Sequence, residues 1–269
     1  MSSHADPAHL TKHIPLLKYP FAASTFSLAQ LTDGVSNGTA LWLGGQCLAM
    51  YLAQMHAKYK TPHSAHRPRA IELGSGIGLT ALALCSLGWD VLATDIPHVI
   101  SSVLEKNINH NLSALPISSG TIQIRELDWS VLPEDWTWNH ESVVASHSNH
   151  LVSADDSLAL LRPPFDLIIS ADTVYSVELI EPMLRTLHVL STLSASPAGS
   201  HFPAILLCIE RRDPALVDRL LAAAKENWHF QVERIPHKKV VKAVEKEARW
   251  NKADWDDVEL WKFKLNPSP

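Results

Sequence analysis

Short apolar runs alternate with longer amphipathic segments along much of the chain. The strand-like runs are Ala70–Leu73, Asp90–Thr94, Thr121–Leu127, Phe165–Ser170 and Ala204–Ile209. The segments with a helical pattern are Gln46–Ala57, Leu79–Leu87, Val99–Asn111, Leu179–Leu190 and Pro214–Asn227. Strands that alternate with helices in this way predict an α/β fold, in which a parallel sheet is covered by helices.

The alternation stops after residue 227. His229–Ile235 and Val258–Leu265 have strand patterns with no clear helix between them, so we expect them to pair antiparallel. The charged segment between them, Lys238–Asp256, is expected to be solvated. Polar stretches over residues 139–162 and 191–202 are typical of insertions. We therefore predict an N-terminal extension over residues 1–35, with apolar residues in Ile14–Leu31 that pack on a single domain over 36–269.

The composition is that of a folded protein without a basic or membrane-seeking surface. The chain has 269 residues, of which 46% are hydrophobic and 19% charged, and its formal net charge is −5. We therefore expect no nucleic-acid partner. Its apolar runs are far shorter than the ~20 residues that span a bilayer. Cysteines 47, 85 and 208 lie in apolar runs, as buried reduced thiols do. We expect a cytoplasmic, monomeric protein without a membrane partner.

A glycine loop carries the first candidate chemistry. The strand Ala70–Leu73 runs into glycines at 74, 76 and 78, after which a helix begins. Such a turn brings the backbone of Gly74, Ser75 and Gly76 and a helix N-terminus against a ligand. The spacing lacks the third Gly or Ala of a dinucleotide fingerprint. Glu72 would repel a pyrophosphate there and attract the ammonium of a methionine moiety.

A carboxylate at the end of the next strand completes this half of the site. Asp95 lies 95 − 74 = 21 residues after Gly74 and can accept hydrogen bonds from both hydroxyls of a ribose. Together with Glu72, it favours S-adenosylmethionine over NAD. The alternative is a structural tight turn in which Asp95 caps the following helix.

Four sequence elements resemble those of a known family. They are Leu41-Trp42-Leu43-Gly44-Gly45, Glu72-Leu73-Gly74-Ser75-Gly76-Ile77-Gly78, Leu127-Asp128-Trp129 and Ala171-Asp172-Thr173-Val174-Tyr175. In this order they resemble the seven-β-strand, class I methyltransferases. More narrowly, they are similar to the family 16 protein-lysine methyltransferases that modify translation factors and chaperones. The glycine motif alone indicates only a class I methyltransferase. The Asp-x-x-Tyr motif of Asp172 and Tyr175 narrows the resemblance to family 16.

The resemblance implies a fold and a set of roles. The fold is a Rossmann-like sheet of seven mostly parallel strands with an antiparallel C-terminal hairpin. Trp42 and Ala171 would contact S-adenosylmethionine, and Trp129 would stack on its adenine. Asp172 would orient a target lysine of a protein substrate, beside Tyr175. By analogy, elongation factor 1A is the first expected target and a chaperone the second.

Other interpretations of these residues stay open. Trp42 and Tyr175 are also compatible with ordinary packing, and Asp172 with capping of the next helix. Two other functions are also compatible with the sequence. One is a small-molecule N- or O-methyltransferase, which would use the same residues to bind the cofactor. The other is a methyltransferase-like scaffold without catalytic activity. His147 and His150 form an H-x-x-H, but no cysteine or carboxylate spacing completes a zinc site, so we predict no metal.

Overall fold

An eight-stranded sheet forms the centre of the computed structural model, which describes residues 4–31, 37–61, 66–148, 159–196 and 202–266. In chain order the strands are β1 (Leu16–Phe21), β2 (Ser24–Ala29), β3 (Arg69–Leu73), β4 (Asp90–Asp95), β5 (Ile122–Leu127), β6 (Val143–Ala145), β7 (Leu167–Ala171), β8 (Ala204–Glu210), β9 (Phe230–Arg234) and β10 (Val258–Leu265). β1 and β2 form a separate antiparallel hairpin. The other strands form one sheet in the order β6-β5-β4-β3-β7-β8-β10-β9.

Helices cover both faces of this sheet. They are α1 (Ala8–Thr11), α2 (Leu43–Met55), α3 (Leu79–Ser86), α4 (Pro97–Val99), α5 (Glu105–Asn111), α6 (Ile180–Leu193), α7 (Pro214–Glu226) and α8 (His237–Glu247). The buried side chains of α2, α3, α5 and α8 belong to one hydrophobic cluster, and those of α6 and α7 belong to the other. Asp213 is the N-cap of α7, because its side chain accepts a hydrogen bond from Leu216 N, and Pro214 is the first residue of the helix.

The strand directions confirm the predicted fold class. Strands β3 to β8 are parallel, whereas β10 runs antiparallel to both β8 and β9. The strand order reverses between β3 and β7. In open α/β sheets, ligands bind in the crevice at the carboxyl ends of the strands beside such a reversal.

The sheet has one strand more than the expected seven. β6 (Val143–Ala145) lies within the polar stretch expected to be an insertion, and all three of its residues are buried against the edge of β5. Three residues are too few to show a strand pattern inside a polar sequence. Residues 149–158 of this stretch and 197–201 of the second one lie outside the described residues.

The expectation of no helix between β9 and β10 was wrong. Most of the first half of the charged segment forms α8, and its Val240, Ala243 and Val244 are buried on the core face. These positions follow the i, i+3, i+4 pattern of an amphipathic helix. The surrounding lysines and glutamates hid that pattern, so the segment is solvated on one side only.

The N-terminal hairpin is fixed to the domain, as expected for Ile14–Leu31. Side chains of α5 pair with its backbone: Asn107 Oδ1 accepts from Ala29 N at 2.7 Å, and Asn111 Oδ1 accepts from Ser27 N at 2.7 Å. Their amide groups donate in return to the carbonyls of the same two residues. Two asparagines thus complete the free edge of β2 as a neighbouring strand would.

The burial of the cysteines agrees with their positions in apolar runs. All three cysteines are free and buried. Within the described residues, no helix combines the length and the apolar character needed to cross a membrane.

Candidate active site

A cavity of about 390 Å³ opens at the carboxyl ends of β3, β4, β5 and β7. Its wall contains all ten residues that the sequence singled out: Trp42, Glu72, Gly74, Ser75, Gly76, Asp95, Trp129, Ala171, Asp172 and Tyr175. The cavity lies beside the strand-order reversal, where the fold provides a ligand crevice. The structure therefore brings these residues together, while their individual roles remain predictions.

The glycine loop is held by hydrogen bonds to β4. Ser75 N donates to Thr94 O at 2.9 Å, and Thr94 N donates to Ser75 Oγ at 3.1 Å. Gly74 has a φ of +68°. A Cβ there would lie 2.4 Å from Thr173 Cγ2, so the backbone approaches its neighbours at a distance that only glycine permits.

The side chain of Asp95, the last residue of β4, also forms a hydrogen bond to the glycine loop. Its Oδ2 accepts from Gly76 N at 2.8 Å, and its Oδ1 accepts from Ile96 N at 2.8 Å. Burial raises the pKa of Asp95 to about 6, although these two N–H donors lower it. Each oxygen keeps a second lone pair for a ligand hydroxyl.

Glu72 is a buried carboxyl group that lacks a full set of partners. Its Oε2 has no hydrogen-bond partner in the described part of the chain, although the residue is only 2% exposed. Burial raises the pKa of Glu72 to about 8, while the hydroxyls of Ser75 and Thr80 lower it. A buried acceptor in a cavity wall fits a ligand that brings a positive charge or a donor.

Asp172, also in the cavity wall, connects two elements that are distant in sequence. Its Oδ2 accepts from Gly44 N at 2.6 Å, in the first turn of α2, and its Oδ1 accepts from Glu210 N at 2.7 Å, at the end of β8. Burial raises the pKa of Asp172 to about 6, opposed by these two N–H donors and by Arg212. Asp172 thus serves the N-terminus of α2 and not, as the alternative held, that of the following helix.

Trp42 carries two cationic contacts that the sequence did not suggest. Lys12 Nζ lies 3.3 Å from the centroid of its ring, and Arg212 Cζ lies 4.4 Å from it. The indole N–H donates to Asn37 O, in the same cavity wall. The two cations, Lys12 and Arg212, are remote from Trp42 in sequence, so no local pattern could have indicated these contacts.

The remaining aromatic positions differ in exposure. Trp129 lines the cavity next to Asp128, and its carbonyl accepts a hydrogen bond from Arg185 at 2.6 Å. Tyr175 is 55% exposed, which places its ring at the mouth of the cavity rather than in the core. Packing alone therefore does not account for Tyr175.

The histidines do not form a metal centre in the described residues. His147 Nε2 lies 2.8 Å from Ser130 Oγ, and His150 is outside the described ranges. No group of three or more His, Cys, Asp or Glu side chains among the described residues is arranged to hold a metal ion.

A sequence profile described as "Lysine methyltransferase" matches residues 22–161, which is slightly more than half of the 269 residues. The chain belongs to this lysine methyltransferase family. The match confirms the resemblance drawn from the four sequence elements.

Three curated relatives of this chain illustrate the range of the family. Protein-lysine methyltransferase METTL21E of Bos taurus is 26% identical over 67% of this chain and 51% of its own length. EEF1A lysine methyltransferase 3 of Xenopus tropicalis is 31% identical over 48% of this chain and 53% of its own length. Ribosomal lysine N-methyltransferase 5 of Lachancea thermotolerans is 31% identical over 60% and 48%, respectively. The chain spans about half the length of these relatives.

The adjacent glycines 44 and 45 provide a matched pair for testing whether the hydrogen bond from Gly44 N holds the Asp172 carboxylate in place. A Cβ on Gly44 would lie 2.5 Å from Asp172 Oδ2, whereas a Cβ on Gly45 would meet only Thr80 Oγ1, at 3.9 Å. Gly44→Ala should therefore lower the free energy of unfolding by about 1–3 kcal/mol, as overpacking does. Gly45→Ala should be neutral or stabilising by up to about 1 kcal/mol, because alanine favours the helix.

Urea denaturation of both variants measures this difference. Equal stability of the two variants would show that the carboxylate of Asp172 yields freely and is not held in place.

Proposed function

We propose that this protein transfers methyl groups from S-adenosylmethionine to lysine side chains of other proteins. The observation that carries the proposal is the cavity itself, whose wall holds a buried carboxyl with one unpartnered oxygen (Glu72), a second carboxyl (Asp172) and an exposed aromatic ring (Tyr175). The first suits a cationic methionine moiety and the second a cationic acceptor. Membership of the lysine methyltransferase family supports the same reaction.

The residues of the cavity suit the three parts of the cofactor. When bound, S-adenosylmethionine supplies a methyl group already activated on a sulfonium sulfur. Glu72 would bind its ammonium, and Asp95 would accept hydrogen bonds from its ribose hydroxyls. Trp129 would stack on the adenine, and the small Ala171 would allow close contact. The glycine loop would present its backbone between these groups.

Asp172 and Tyr175 would receive the target lysine. Each oxygen of Asp172 already accepts one backbone N–H, which leaves a lone pair on each for the incoming ammonium. The charge of Asp172 raises the pKa of that amine, whereas desolvation and the cations Lys12 and Arg212 lower it. The lysine loses its proton to water before it attacks, and the two residues hold its nitrogen in line with the methyl group.

The target that we propose is a translation elongation factor of the 1A type, with a chaperone as the second choice. One relative at 31% identity is named EEF1A lysine methyltransferase 3, which supports this choice by analogy. We further propose a cytoplasmic monomer. The three free thiols are in keeping with a reducing compartment, and size-exclusion chromatography tests the monomer.

The raised pKa of Glu72 predicts that cofactor binding releases a proton. At pH 7 the free carboxyl is mostly protonated, because its pKa is about 8. An ammonium bound beside it favours the ionised form. Calorimetry of S-adenosylmethionine binding at pH 7, in buffers of different ionisation enthalpy, should therefore show release of close to one proton. The release should diminish as the pH rises above 8.

Glu72→Gln should abolish this proton release. Glu178→Gln is the matched control, since Glu178 lines the same cavity but is exposed, and its variant should retain the release. Binding without any change in protonation at pH 7 would remove Glu72 from the ammonium site.

The reaction itself is tested with methyl-tritiated S-adenosylmethionine and a cell lysate that lacks this protein. A labelled band whose methylated residue is a lysine, identified by mass spectrometry, supports the proposal and names the target. Label confined to the small-molecule fraction would instead favour a metabolite methyltransferase. Absence of label despite measurable cofactor binding would favour a non-catalytic scaffold.

A further inference from the structure

The N-terminal segment is attached to the domain by two buried glutamines. Gln46 Oε1 accepts from Ala8 N at 2.7 Å, and Gln46 Nε2 donates to Asp6 O at 2.9 Å. Gln30 Nε2 donates to Thr11 O at 3.0 Å and to Ile14 O at 2.9 Å. The backbone is thereby fixed immediately before Lys12 and two residues after it.

This attachment places the Lys12 side chain on Trp42, a residue of the cavity wall. Lys12 Nζ lies 3.3 Å from the centroid of the Trp42 ring, which lines the cavity. Two residues after Trp42, Gly44 N binds the carboxylate of Asp172, the group proposed to orient a target lysine. A lysine of the chain itself therefore lies on a residue next to the proposed acceptor position.

The charges around Lys12 resemble those that a target lysine would meet. Arg212 also lies over the Trp42 ring, and it forms an ion pair with Glu210 at 3.4 Å. Burial and Arg212 lower the pKa of Lys12, while Glu210 and Asp172 raise it. The net lowering increases the fraction of neutral amine, which is the form that attacks a methyl group.

We propose that Lys12 is a methylation site of its own chain, modified by the same cavity. The inference rests on the proposed function. The neutral Lys12 nitrogen forms a bond to the methyl carbon as the bond from that carbon to the sulfonium sulfur breaks. The Lys12 ammonium loses a proton to water before the attack, the product is a methylated ammonium, and the electron pair of the broken bond stays on sulfur, which becomes a neutral thioether. Lys12 does not itself line the cavity, so the reaction requires its four methylene groups to turn the nitrogen from the Trp42 ring into the cavity.

The product has a defined place in this arrangement. A methylated lysine keeps its positive charge. Methylated ammonium groups bind aromatic faces well, so the modified Lys12 can return to the Trp42 ring. The modification thereby stays within the N-terminal segment that Gln30 and Gln46 hold.

The purified full-length protein is incubated with S-adenosylmethionine alone and then digested and analysed by mass spectrometry, alongside a sample taken before incubation. We expect methyl groups on Lys12, absent in Lys12→Arg and absent when Asp172 is replaced by asparagine. Lys18→Arg is the matched control, because Lys18 lies six residues away and contacts Ser27 instead of Trp42. That variant should retain the modification of Lys12.

The dependence of the methylation rate on protein concentration shows whether Lys12 is modified by its own chain or by another copy. In an intramolecular reaction, the fraction of chains methylated per unit time does not change over a hundredfold range of protein concentration. This is the expected result. A rate proportional to concentration would overturn the proposed geometry. An unmodified Lys12 in a preparation that methylates lysate proteins would overturn this inference and leave the proposed function standing. Failure to bind S-adenosylmethionine would overturn both.

Discussion

Replacement of Asp95 by alanine is expected to weaken the binding of S-adenosylmethionine by about 100-fold, since the loss of charge-assisted hydrogen bonds to both ribose hydroxyls costs about 3 kcal/mol. The same change removes the acceptor that holds Gly76 N, so the glycine loop also loses one of its fixed points. Isothermal titration calorimetry measures the dissociation constant directly.

Asp90→Ala is the matched control for Asp95→Ala. Asp90 starts the strand that Asp95 ends, and its Oδ1 accepts from Thr121 N and Thr121 Oγ1, both at 2.9 Å. Asp90→Ala therefore removes one negative charge, as Asp95→Ala does, but at the opposite end of β4. We expect the affinity of this variant to equal that of the unmodified chain. An Asp95→Ala variant that binds as tightly as Asp90→Ala would exclude the ribose contact.

Replacement of Asp172 by asparagine is expected to reduce methyl transfer strongly and also to destabilise the fold. Both carboxylate oxygens accept backbone N–H groups, so an amide must direct its own NH₂ group at one of these donors. A buried donor left unsatisfied costs about 1–3 kcal/mol. Cofactor affinity should change little, because Asp172 is assigned to the acceptor. Urea denaturation, calorimetry and the transfer assay separate these three effects.

Asp213→Asn is the control for the chemistry of this substitution. Asp213 Oδ1 accepts from Leu216 N as the N-cap of α7, and asparagine caps helices as well as aspartate does. Its stability and transfer rate should therefore match those of the unmodified chain. If Asp172→Asn is less stable but transfers methyl groups at the full rate, then Asp172 only connects α2 to β8 and has no role in the transfer.

The cofactor half of the site was predictable because it is local in sequence. Gly74, Ser75 and Gly76 directly follow a strand, and Asp95 ends the next one, so the topology alone brings them together. The same reasoning gave the directions of the main strands. Where an element is short, as β6 is, or has its apolar face hidden among lysines, as α8 has, the pattern was too weak to be recognised.

The acceptor half depends on contacts between distant parts of the chain. Asp172 binds Gly44, which lies 128 residues earlier, and Lys12 meets Trp42 where Gln46 and Gln30 hold the N-terminal backbone. Such pairings depend on the packing of α2 against the sheet. No spacing rule in the sequence encodes them.

The position of β10 between β8 and β9 has a consequence for synthesis on the ribosome. β9 pairs with β10 alone, so it cannot join the sheet until residues up to 265 have been made. Val258 also pairs with Glu210, whose N–H binds Asp172. A nascent chain can therefore assemble the glycine loop and Asp95 early, whereas the strand that flanks Asp172 gains its last neighbour only when translation has passed β10. The half of the site proposed to bind the methyl donor is thus built before the half proposed to hold the acceptor.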